Sequence, residues 1–165
     1  NGDGSNLPCK MAVQYLRYLC QDNQFAKNEL KMLEETIGAA DIETPIFAVS
    51  CETDHIASWK DSFRGLQNFS SKEKTFVLSE AGHVAGIVNA PGSGKYGYYF
   101  GNGEFEDAEQ WKNGAEFEKE SWWPFWEGWL REKSKDLVEA RIPKAEFDLD
   151  LGDAPGYYVH QRPRG

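Results

Sequence analysis

The sequence predicts an α/β fold with parallel strands and flanking helices, of which this chain holds only part of the sheet. Three observations carry this. Residues 44–51, TPIFAVSC, form a short, almost wholly apolar run led by a proline, which suits a strand covered on both faces better than an alternating edge strand. Residues 74–80, KTFVLSE, form a second strand-like run. Between them Trp59, Phe63 and Leu66 recur at helical spacing, and Ser58 with Asp61 three residues on resembles a capping box.

Taken in order, residues 1–8 form a polar turn in which Asn6 is available as a helix cap and Pro8 stands near a helix start. From Met11 to about Gln24, Ala12, Tyr15, Leu16, Leu19 and Cys20 make an amphipathic stripe, expected to face the core. Residues 25–43 are more charged and read as a connection, with Ile37, Gly38 and Asp41 in it. After His83 the stretch to residue 105 is dense in glycine and tyrosine. It is expected to be a loop that can line the mouth of a site, with Asn102 and Gly103 as a turn signal. It is not a phosphate loop, because no Gly-Lys-Ser or Gly-Lys-Thr follows and the glycines do not lead from a strand into a helix.

From Asp107 the pattern is helical again. Trp122, Phe125, Trp126, Trp129 and Leu130 form an apolar stripe with Pro124 near the first turn. Packing on the sheet is the first reading of this aromatic helix, and an exposed face that holds a polymer surface is the second. Residues 136–165 lack periodicity and read as an irregular tail. The pattern thus divides the chain into residues 1–40, residues 41–135 with both strand-like runs, and residues 136–165 as the tail.

Composition narrows the function classes. The 165 residues carry a formal net charge of −9 and a pI near 4.9, with no concentrated basic patch, which argues against nucleic-acid binding. Apolar runs are too short to cross a bilayer as a helix. Cysteines 9, 20 and 51 are odd in number and lack zinc or disulfide spacing, and so suit a reducing cytoplasm. Cys51, ending a buried run, reads as a small packing residue. The opening NGDGSNLP, without an initiator Met or a leader, together with the two strands, leads us to read the chain as a fragment.

Two parallel strands joined by a helix bring their ends to the same sheet edge, where open α/β folds gather their chemistry. Asp54 and His83, each just past a strand, are thus expected to be neighbours. An acid followed by a histidine matches the second and third members of the nucleophile, acid, histidine order of α/β-hydrolases. Equally, a polar residue at a strand end is often only a turn former or a cap. His55, next to the acid, is expected to support the loop without a catalytic part. Asp54, His55 and His83 alone are thin grounds for a metal site.

Several segments together carry a resemblance to a family. NGDGSNLP, ETDHIASWK, LSEAGHVAGIVNAP, EQWKNGAEFEKESWWPFWEGWL and the closing PGYYV resemble, in order and in spacing, the C-terminal part of polyhydroxyalkanoate synthases, best those of the class I type. The resemblance implies an α/β-hydrolase-like domain that polymerises (R)-3-hydroxyacyl-CoA and releases CoA, of which this chain is the C-terminal portion with the last parallel strands and flanking helices. It implies residues 1–40 as the end of a cap region and its return helix, residues 41–135 as the C-terminal part of the catalytic core, and residues 136–165 as an irregular tail. It implies no cofactor, CoA being the leaving group of the substrate. Asp54 and His83 then correspond to the catalytic acid and histidine of a Cys-His-Asp triad. The implied partners are the acyl-CoA, the polyester chain, the surface of the polyester granule in the cytoplasm and, for the full-length protein, a second copy in a homodimer. None of Cys9, Cys20 or Cys51 stands in the Gly-x-Cys-x-Gly turn the family uses, so the nucleophile is expected outside this chain, and the isolated chain is expected to be inactive. A thioesterase, esterase or depolymerase of the same fold remains the alternative, separated by whether the missing turn carries Cys or Ser.

Overall fold

In a computed structural model of the chain, residues 6–140, with Gly156 and His160, are described. The chain begins with a short helix, α1 (Cys9–Gln14), which passes into wider π-type turns over Tyr15–Gln21. A hairpin of β1 (Leu30–Met32) and β2 (Glu35–Ile37) follows. Then come β3 (Ile46–Cys51), α2 (Trp59–Leu66), β4 (Lys74–Ser79), β5 (Tyr98–Asn102), α3 (Ala108–Gly114), β6 (Glu116–Glu118) and α4 (Trp123–Lys133).

The predicted pair of parallel strands is present. β3 and β4 run parallel with Val49 opposite Val77 and Cys51 opposite Ser79, and α2 makes the crossover. The sheet is nevertheless mixed, in the order β3-β4-β5-β6, because β5 and β6 add antiparallel to it. β5 is a correction: residues 98–102 lie in the glycine- and tyrosine-rich stretch expected to be loop. Alternation explains it, since Tyr98 packs on one face of the sheet and Tyr99 on the other. Gly97 just before it admits the Phe117 ring and Glu118 carbonyl of β6, which a Cβ would meet at 2.5 and 2.6 Å.

Both faces of the sheet are covered. On one, Phe76 and Leu78 pack with Trp59, Phe63, Leu66 and Trp111 from α2 and α3. Phe76 lies edge-on to Phe63 at 5.0 Å and to Trp111 at 4.9 Å, the tilted geometry aromatic rings prefer. On the other face Phe47, Val77, Tyr98 and Phe100 meet Trp122, Trp123 and Phe125. The aromatic helix thus packs on the sheet, with Phe47 5.5 Å from both Phe125 and Trp129, while Trp126 is half-exposed.

The core-facing stripe, the Asn6 cap and the connection over residues 25–43 are also corrected. The stripe of residues 11–24 does not face a core within the described residues: Met11, Tyr15, Leu16 and Leu19 are exposed, and Pro8 rather than Asn6 takes the cap position. Amphipathic spacing shows that a helix has an apolar face, not what covers it. Residues 25–43 contain a hairpin, hidden because its two-residue turn is Leu33-Glu34, with Leu33 at φ 56° where glycine or asparagine is the usual signal. Beyond residue 140 the expected 136–165 tail, and with it most of PGYYV, lies outside the described residues apart from Gly156 and His160.

Candidate active site

The site forms where β3 and β4 end side by side. The Glu52 N–H donates to the Ser79 carbonyl at 2.8 Å and the Thr53 N–H to the Ala81 carbonyl at 3.3 Å, so the strand pairing continues into both loops. Asp54 Oδ1 accepts the N–H groups of Ile56 at 2.8 Å and Ala57 at 2.9 Å, while Ser58, the expected cap, makes no side-chain capping bond. Asp54 therefore shapes the turn that leads into α2, the bland role a strand-end acid often has. Its other oxygen, Oδ2, meets His83 Nδ1 at 2.8 Å. One carboxylate thus serves the turn with one oxygen and the imidazole with the other.

The Asp54 side chain is nearly buried and that of His83 is half-exposed. The N–H of Ala57, then the His83 hydrogen bond, hold the Asp54 pKa down at about 2. An ionised carboxylate is an acceptor only, so Nδ1 carries the proton toward it and Nε2 is left as the basic nitrogen. This arrangement can accept a proton at Nε2 and stabilise the resulting cation.

Beside the pair lies an open cleft of about 360 Å³, whose lining includes Cys51, Asp54, His83, Val84, Ile87 and Val88. The last three are exposed apolar side chains, so the histidine stands in a greasy rim. Cys51 is buried, as expected of a packing residue, and burial followed by the Asp54 charge pushes its thiol pKa up. A thiol so placed is a poor nucleophile. His55 is exposed on the loop. The described residues hold no group of three or more His, Cys, Asp or Glu placed to bind a metal.

Sequence reasoning missed the supports of the pair. Lys112 of α3 pairs with Glu52 and lies over the Tyr99 ring, tying the loop after β3 to α3 and β5. Glu52 raises the Lys112 pKa. At the start of α4, Ser121, Trp122 and Trp123 bond to carbonyls of the loop that follows His83. The only hint in sequence was polar and indole donors clustered at a helix start.

Fold and site define part of an α/β protein with an acid and a histidine paired across the ends of two parallel strands. No family model matches the chain. It is 37% identical over 163 residues to the poly(3-hydroxyalkanoate) polymerase subunit PhaC of Rhizobium meliloti, covering 98% of this chain and 26% of that protein. It is 34% identical to the poly(3-hydroxyalkanoate) polymerase of Methylorubrum extorquens (98% and 27%) and 30% to the PhaC subunit of Cupriavidus necator (96% and 27%). Along nearly its whole length the chain resembles the C-terminal part of a polyhydroxyalkanoate synthase. It spans about a quarter of the length of these relatives.

Proposed function

We propose that this chain is the part of a polyhydroxyalkanoate synthase that supplies the acid and the base of catalysis, in a domain of α/β-hydrolase type. The observation that carries the reading is the 2.8 Å contact between His83 Nδ1 and Asp54 Oδ2 at the ends of two parallel strands, in a chain similar to polymerases over 98% of its length.

In the proposed reaction a cysteine on a turn outside this chain gives its thiol proton to His83 Nε2. The thiolate attacks the carbonyl of an (R)-3-hydroxyacyl-CoA thioester. The C–S bond to CoA breaks, and the departing thiolate takes the proton back from the imidazolium. The 3-hydroxyl of a second acyl group then loses its proton to the same base as its oxygen attacks the acyl-cysteine, forming the ester link and freeing the cysteine thiolate. Asp54 holds the imidazole in register and stabilises its cation, and helps to activate the hydroxyl. The relatives are polymerases by name, which favours a hydroxyl over water as acyl acceptor. Association with a granule in the cytoplasm and dimerisation of the full-length protein are parts of the same proposal.

The test uses the full-length protein. His83→Ala is expected to reduce CoA release by about 10²-fold or more, the size of a general-base contribution. Asp54→Asn is expected to keep acylation of the cysteine better than chain elongation. Equal loss of both would remove the support for a role of Asp54 on the hydroxyl.

A further inference from the structure

We propose that Trp122 and Trp123 are positioning residues for His83, holding the loop that carries the imidazole through indole hydrogen bonds to two successive carbonyls; the inference rests on the acid–histidine reading above. Directly after Gly82 the chain makes a short helical coil: the Gly86 N–H donates to the Gly82 carbonyl at 3.1 Å and the Val88 N–H to the Val84 carbonyl at 2.9 Å. The last carbonyls of such a coil find no partner within it. Trp122 Nε1–H donates to the Gly86 carbonyl at 2.9 Å, and Trp123 Nε1–H to the Ile87 carbonyl at 2.9 Å. The Ser121 hydroxyl donates to the Asn89 carbonyl. Three consecutive residues thus grip three carbonyls of the histidine loop.

The grip has a firm base. Trp122 is 8% exposed and packs in the sheet face with Val77 and Tyr98. From below, the loop rests on the strand ends: a Cβ on Gly86 would stand 2.5 Å from Cys51 Sγ and 3.0 Å from Ser79 Oγ. The loop is therefore pinned between the sheet edge and the start of α4. Packing alone asks only for an apolar ring, which phenylalanine supplies. Two adjacent indoles each aiming their single N–H at the same coil answer a different demand, a fixed carbonyl position. Among the described residues His83 itself makes one side-chain bond, to Asp54, so the orientation of its Nε2 follows where the loop is held.

Trp123→Phe and Trp122→Phe in the full-length protein remove the donors and keep the rings. Trp123→Phe, on the less buried of the two, is the decisive variant should Trp122→Phe misfold. We expect kcat for CoA release to fall about ten- to a hundredfold, the scale of a small misplacement, with KM unchanged within about twofold. In imidazole NMR spectra the His83 Nδ1–H resonance is expected to shift or to exchange faster with water. Folded variants with the wild-type kcat and an unchanged resonance would overturn the proposal, and so would a loss of rate that only tracks loss of folded protein. If the wild-type protein releases no CoA, the synthase reading fails instead, and the resonance still reports whether the tryptophans position His83.

Discussion

Asp54 is asked to do two things at once, and the distances show how. Oδ1 closes the turn into α2, and Oδ2 meets the imidazole. Because the folded carboxyl sits at about 2 against an ordinary 3.8, it favours the fold most at pH above 3.8 and loses that contribution as pH falls toward about 2. A carboxyl ¹³C titration is expected to show Asp54 still ionised at pH 3, where exposed aspartates are mostly protonated. An Asp54 midpoint near the ordinary value would contradict the two-sided bonding. Gly86 is the second residue on which the site turns. Gly86→Ala drives a methyl into Cys51 Sγ, so activity and stability are expected to fall together, and Cys51→Ala in the same protein is expected to restore part of the loss in a thermal melt.

At the scale of elements, what the sequence revealed and what it concealed have separate physical causes. β3, α2 and β4 were legible because their buried runs and helical stripe are local patterns that burial on both faces imposes. The pairing of Asp54 with His83 followed from strand direction. β5 was hidden because Gly97 and Gly101, on either side of Tyr98–Phe100, read as loop punctuation, although Gly97 is there for the close approach of β6. The exposure of α1 was invisible because spacing reveals a stripe but not its partner. The aromatic core between α2, α3 and the sheet makes its own prediction. Phe76→Ala, at a position with no exposure, is expected to cost about 3–5 kcal/mol by urea denaturation, whereas Phe105→Ala, at a half-exposed ring, should cost far less.

At the scale of the molecule, β3 has one strand neighbour within the described residues, and Met11, Tyr15 and Leu16 expose apolar surface on and after α1. An unpaired strand edge and an uncovered apolar stripe favour association. Produced by itself, this chain is expected to run as oligomers in size-exclusion chromatography, and a clean monomer would show that these surfaces are quiet. It is also expected to release no CoA, since its buried thiol is raised in pKa and stands on the strand that precedes the acid. The central claim is that Asp54 and His83 are the acid and base of a polymerising acyltransferase whose nucleophile lies elsewhere. Its most direct measurement is CoA release from the full-length protein carrying His83→Ala, with the fold checked by circular dichroism. The account predicts a folded protein whose rate is down by about 10²-fold or more, and a folded variant that releases CoA at the wild-type rate would contradict it.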